Sequence, residues 1–179
     1  MAGGKPMEEW VQRALALGAD AARAISVEQV VVSDWVRRKC QFGCGGYGQC
    51  LTCPPHSPTP EATRRMLQDY RKGLLLRVEG RGEDEEEPAA RRLAEAVAAL
   101  ERELFLSGHY RAWGMVAGPC PFCETCNLAG PCRFPEKARP SMEACGIDVY
   151  ATVRAAGWRI EVVPSLDAPF RLFGLVLVE

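Results

Sequence analysis

The sequence is short of several things, and each shortage removes a class of function. Neither charge dominates: Lys and Arg number 22 against 23 for Asp and Glu, a net charge of −1. A chain so balanced is not built mainly to neutralise phosphates, and no nucleic-acid partner is expected. No apolar run approaches the ~20 residues that cross a bilayer, so no membrane association is expected either. The opening stretch, Met1 to Trp10, lacks the apolar core of a secretory signal, which makes a cytoplasmic location the expectation. The Walker, GxSxG and HExxH patterns are missing, leaving nucleoside-triphosphate and hydrolase readings without support. Low-complexity linkers and convincing internal repeats are also absent, so residues 1–179 are read as one domain.

What is abundant is cysteine, nine in 179 residues. Four lie between Cys40 and Cys53, four between Cys120 and Cys132, and Cys145 stands alone. A disulfide-stapled secreted domain is normally shorter and more evenly cross-linked, and nine is an odd number. A chain this long can also bury a core without staples. Thiolates gathered for metal or redox chemistry are the leading reading.

The rest of the chain supplies a scaffold for the two clusters. Met7, Trp10, Val11, Ala14, Leu15 and Leu17 fall at helical spacing before Gly18. Ala24–Val27 and Val30–Val32 read as a strand or hairpin that leads into the first cluster. Thr59-Pro60-Glu61 starts a helix whose apolar face is Ala62, Met66, Leu67 and Tyr70, ending at Gly73. Leu74 to Val78 is a buried strand. Arg81 to Glu87 is a solvated acidic loop entering a helix over Pro88 to Ser107. Ala112 to Ala117 is a strand that delivers the chain into the second cluster. Asp148 caps a helix to Ala156; Trp158 to Val162 and Leu172 to Val178 are the last strands.

Strands separated by helices imply parallel βαβ connections, with the last two strands pairing antiparallel. The expected fold is α/β: a mixed sheet of about four to six strands, flanking helices and two cysteine-rich metal-binding loops. Both loops would then follow strands directly, where sites in such sheets are commonly built. If those strands are parallel, both loops leave one sheet edge and converge; otherwise they form separate staples.

The second cluster is the sharper signal. Cys120-x2-Cys123-x2-Cys126-x5-Cys132, with Pro135 beyond it, resembles the bacterial ferredoxin run C-x2-C-x2-C-x3-C-P with a longer last gap. Two successive CxxC steps wrap three thiolates around a cluster, and Cys132 either completes it or serves a second one. Zinc suits an all-sulfur site too, but structural zinc usually draws its ligands in separated pairs. A thioredoxin-like dithiol at Cys120–Cys123 is a weaker reading, because Cys126 follows at once.

The first cluster is Cys40-x3-Cys44-x5-Cys50-x2-Cys53-Pro54-Pro55, with glycines at 43, 45, 46 and 48 that permit tight turns. A radical-SAM CxxxCxxC is ruled out by Tyr47 at the third position, and a haem CxxCH by Pro54. His56 reads as a solvent-facing loop residue or a proton carrier. Arg133, like Tyr47, could donate toward sulfur or simply pack. His109, past a helix end, reads as a dipole partner.

Taken together, the sequence resembles a family of cysteine-rich predicted metal-binding proteins with a domain of unknown function. The residues that carry the resemblance are Val36 to Cys44, Tyr47-Gly48, Cys53-Pro54-Pro55, the Cys120 to Pro135 run and Arg139 to Asp148. The resemblance implies metal or iron-sulfur binding and no established reaction. In its pattern Cys40, Cys44 and Cys53 are central, and Cys50 is an addition. One site would take Cys40, Cys44 and Cys53 with either Cys50 or Cys145; the other would take Cys120, Cys123, Cys126 and Cys132. Cross-ligation by Cys132 or Cys145 is the competitor, and Cys145 could equally be a packed core thiol. The expected protein binds one or two iron-sulfur clusters, of 4Fe-4S type, and carries electrons or assists an enzyme through a redox partner protein. Its rivals are a structural zinc-binding interaction protein and an enzyme using an incompletely liganded cluster.

Overall fold

A computed structural model describes residues 6–179; residues 1–5, part of the stretch read above as lacking a signal, lie outside the described residues. The helices are α1 Met7–Ala16, α2 Asp34–Gly43, α3 Pro60–Leu67, α4 Glu86–Leu106 and α5 Val149–Ala155. The strands are β1 Ala21–Ser26, β2 Lys72–Arg81, β3 Trp113–Met115 and β4 Pro169–Leu177. They form a four-stranded sheet in the order β1-β2-β4-β3.

The sheet has two covered faces because its central strands are apolar throughout. Leu74, Leu76 and Val78 of β2 join Val176 and Val178 beneath α1 and α4, against Trp10, Leu93, Val97 and Leu100. Leu75 joins Phe173, Leu175 and Leu177 on the other face, against Met142, Cys145, Ile147 and Val153. Glycines let α4 sit close: a Cβ at Gly114 would lie 2.5 Å from Val97 Cγ1, and one at Gly174 2.9 Å from Val97 Cγ2.

Several expected elements hold. Thr59 Oγ1 accepts from Ala62 N at 3.2 Å, capping α3. Asp148 Oδ1 accepts from Ala151 N at 2.9 Å, capping α5. Helix α3, however, stops at Leu67, short of Tyr70 and Gly73. Helix α4 starts two residues before the expected Pro88.

Three expectations are corrected. Every neighbouring strand pair is antiparallel. β2 and β3 do run the same way around the α4 crossover, but β4 inserts between them. Its run Leu175-Val176-Leu177 is fully buried, which suits an interior strand with both faces covered. Trp158–Val162 is not a strand. Trp158 instead lies against the Arg23 and Arg77 guanidiniums, 5.1 and 5.4 Å from its ring centroid, while Val162 faces solvent. Finally, Val30–Val32 gives only the single bridge Val32–Ile147, and the chain then enters α2. The first cluster therefore begins within a helix, at Cys40. Val36 is the one buried residue of α2, so no apolar stripe announced it.

Candidate metal centre

Helix α2 presents the first thiol. Val36 and Cys40, one turn apart, share its inward side, and the Cys40 thiol lies 4.0 Å from the Glu143 carbonyl oxygen. Arg37 fastens this helix down. Its Nη1 donates to Ser57 Oγ at 3.0 Å, Pro58 O at 2.9 Å and Ala144 O at 2.6 Å. Ser57 Oγ donates to the same Ala144 carbonyl at 2.8 Å. The loop carrying Cys44, Cys50 and Cys53 is thus hung between α2 and α3 over the 3-10 turn Glu143–Cys145. Within it Gly48, at φ +73°, donates its N–H to Pro54 O at 2.8 Å, a turn that favours glycine.

The second loop leaves β3 as expected and returns beside it. Val116 N donates to Pro140 O and Met142 N to Val116 O, both at 2.9 Å, so the loop's two ends are pinned together. Arg139 adds a two-pronged ion pair to Glu101 of α4, with Nε at 2.7 Å and Nη2 at 2.6 Å. Arg91 donates to Pro121 O and Arg133 to Thr125 O, which hold the loop's interior turns.

The two loops touch. Leu51 N donates to Cys126 Sγ at 3.4 Å, and the Cys50 thiol lies near enough to Cys53, Cys126 and the backbone at Cys120 for each to affect its ionisation. Cys50, Cys120, Cys123, Cys126 and Cys132 line one narrow hollow of about 20 Å³, walled by Phe122 and Phe134. Cys40, Cys44 and Cys53 form a second group close enough to influence one another's ionisation. Cys50 stands between the groups. Cys145 is elsewhere: it is 0% exposed and packs in the lower core with Met142 and Ile147.

All nine cysteines are free thiols. Burial pushes Cys53 up to about 12, with the neighbouring thiols of Cys50, Cys44 and Cys40 adding to the effect. Burial likewise raises Cys40, Cys50 and Cys120, and takes Cys145 to about 12. A cation that bound here would have to displace protons and offset thiolate repulsion. Among the described residues, no three His, Cys, Asp or Glu side chains converge tightly enough to hold a single ion.

The remaining candidates are placed as follows. His56 is exposed and lines a shallow hollow with Cys132 and Pro135. His109 donates its backbone N–H to Leu104 O, and its ring stands edge-on to Trp10 at 6.1 Å. Arg133 serves the loop backbone, and Tyr47 N bonds back to Cys44 O. Arg37, Arg139 and Glu143 entered the sequence reading only as part of the family resemblance, without a role, and Glu101 not at all. Glu143 Oε2 is buried without a hydrogen-bond partner, at the edge of a cleft that Ala117, Tyr150, Ile160 and Phe173 also line. Charged residues on otherwise apolar inner faces were the available signal.

The donor set is all sulfur, with no carboxylate or imidazole in the five-thiol hollow, which fits a soft, thiophilic metal. Fold and loops together define a cysteine-rich α/β metal-binding protein. The chain belongs to the family described as predicted metal-binding protein (DUF2284), whose family model matches residues 23–178. No curated protein and no solved structure matches it. Among the described residues, no helix is long and apolar enough to cross a membrane.

Proposed function

We propose that this protein is an iron-sulfur protein of a reducing, cytoplasmic setting, carrying electrons or serving as a redox accessory to an enzyme. The observation that carries the reading is the meeting of the two loops, which gathers five thiols around one hollow. Cys120, Cys123, Cys126 and Cys132 would hold a 4Fe-4S cluster there, with Cys50 as the alternative fourth ligand. Such a cluster supplies one-electron redox chemistry when bound. The chain's own part is to exclude water with Phe122 and Phe134 and to aim backbone N–H groups at sulfur. Leu51 N points at Cys126 Sγ, and Phe134 N at Cys132 Sγ, each at 3.4 Å. Hydrogen bonds to sulfur and burial are the levers by which a protein sets such a potential.

A second reading, an enzyme with an incompletely liganded cluster, draws support from the first group. With Cys145 in the core, the one further thiol near Cys40, Cys44 and Cys53 is Cys50, which they share with the second loop's hollow. A cleft of about 650 Å³ is lined in part by Glu143, whose carbonyl the Cys40 thiol meets. That cleft is a candidate site for a small substrate.

The test is anaerobic purification with iron, sulfide and zinc analysis. Brown protein holding iron and acid-labile sulfide in comparable amounts is expected. Colourless protein with stoichiometric zinc and no sulfide would replace this reading with a structural zinc protein. A second spectroscopic centre that shifts when small thiols or cyanide are added would favour the enzyme.

A further inference from the structure

The outer face of α2 is built the wrong way round for a surface helix. Trp35, Arg38, Lys39 and Phe42 fall at i, i+3, i+4 and i+7, which places them on one stripe. All four are exposed, Trp35 at 50% and Phe42 at 77%. Neither aromatic packs on the core, and among the described residues the Arg38 and Lys39 side chains make no ion pair or hydrogen bond. The other cations nearby are engaged: Arg64 pairs with Asp34, and Arg37 serves Ser57, Pro58 and Ala144.

This stripe lies directly over the first thiol group. The same helix carries Cys40 on its opposite side, and the exposed Cys44 follows Phe42 by two residues. Trp, Phe and Arg are the residue types enriched where proteins meet, and an unpaired cationic pair selects an acidic partner and speeds its encounter. A contact this small matches the weak, fast interfaces of electron-transfer proteins. Two outward-facing cations on a ten-residue helix, the third being Arg37 turned inward, are sparse for a membrane-surface helix, which is typically rich in Lys and Arg.

We infer that the Trp35–Arg38–Lys39–Phe42 face of α2 is the docking surface for a small acidic one-electron carrier protein. This inference rests on the iron-sulfur reading above. One electron leaves the reduced carrier and is taken up at the protein's iron-sulfur centre. The carrier is oxidised by one electron, the protein's centre is reduced by one, and no bond is made or broken.

The experiment uses anaerobically purified, metal-loaded full-length protein and a reduced acidic flavodoxin as the probe. Binding is measured by calorimetry and electron transfer by stopped-flow absorbance, at low and high salt. Binding and rate should both fall about tenfold or more at high salt, as steered encounters do. Arg38→Glu with Lys39→Glu should lower both by about tenfold, and Trp35→Ala with Phe42→Ala should weaken binding while leaving the salt slope intact. Metal and sulfide content should not change. Should the charge reversals lower metal content, the milder Arg38→Gln and the salt dependence of the native protein decide the matter. Salt-independent binding, or outward-face variants that behave as the native protein, would overturn the inference. So would tight binding of phosphatidylserine vesicles through this face with none of the carrier. Protein without iron and sulfide sinks the electron-transfer reading by itself, because carrier binding to this face is read separately by calorimetry.

Discussion

The backbone N–H of Leu51 donates to the sulfur of Cys126, 3.4 Å away and 75 positions along the chain. That bond makes the two cysteine loops one region, with Cys50 turned toward the second loop. Cys50→Ser should therefore disturb the same centre as Cys126→Ser, while Cys40→Ser should disturb a different one. Electron paramagnetic resonance of the three reduced variants, with iron counted in each, checks this. Cys50→Ser and Cys40→Ser sharing one altered signal, with Cys126→Ser untouched by it, would return Cys50 to the first group alone.

Cys145 should behave as a core residue. It is fully buried between Met142 and Ile147, and its thiol is held neutral by that burial. Cys145→Ser puts a hydroxyl among apolar neighbours, so a stability loss of about 1–3 kcal/mol is expected with metal content unchanged. Urea denaturation and iron analysis of the same preparation measure both. Loss of iron with unchanged stability would make Cys145 a ligand.

Acid should weaken the junction between α4 and the start of β1. Asp20 accepts both Arg92 Nη groups at 2.9 Å and the Glu79 N–H at 2.7 Å. The Arg92 guanidinium, with that backbone N–H, holds its carboxyl below the usual range. A carboxyl depressed on folding contributes stability above its unfolded pKa, near 3.9, and loses it as pH falls through the folded value. The pair is partly exposed, with side-chain accessibilities of 40% and 37%, so its worth is about 0.5–1 kcal/mol. Asp20→Asn should be less stable than the native protein by that amount at neutral pH and equal to it at an acid pH where Asp20 is protonated. Denaturant melts at the two pH values decide.

The Glu101–Arg139 pair should matter more. Its side chains are 13% and 16% exposed, and Glu101 Oε2 also accepts from Gly114 N at 2.6 Å. Glu101→Ala leaves Arg139 without its partner and an N–H of β3 unsatisfied, a cost of about 2–4 kcal/mol. Arg139 closes the second loop, so faster metal release to a chelator is expected alongside the lower melting point.

How far the sequence could be read follows from where its signals are local. Helix α4 was legible because Leu93, Val97, Leu100 and Leu104 repeat on one face, and α5 because Asp148 caps it. The second cysteine loop was legible from CxxCxxC spacing alone. Helix α2 was not, because it carries aromatics and cations on its outside and a single buried valine within. The insertion of β4 between β2 and β3 is a long-range choice that no local pattern encodes. Nor could spacing assign Cys50 or Cys145. The first is oriented by the opposite loop and the second by the core of the sheet's lower face.

Metal removal should separate these two levels of organisation. The sheet and its helices are held by a core in which Leu74, Leu75, Leu76, Leu93, Leu100 and Leu175 are fully buried, and of the nine thiols Cys145 alone lies in it. The loops over residues 44–56 and 118–138 contain no helix or strand beyond turns and bring thiols together. Binding a soft cation releases their protons and replaces thiol repulsion with coordination, so in the loops, metal-binding energy is folding energy. Stripping the metal should therefore raise amide exchange in both loops at once, while β2, β4 and α4 keep their protection. Coupling between the loops is the sharper part of the expectation, because Leu51 and Cys50 lean on the second loop. Cys123→Ser should consequently speed exchange around Cys50 as well as around Cys126. Hydrogen exchange by mass spectrometry resolves the segments; loss of protection across the whole sheet would mean the metal supports the fold itself, and loosening of one loop alone would mean two independent staples.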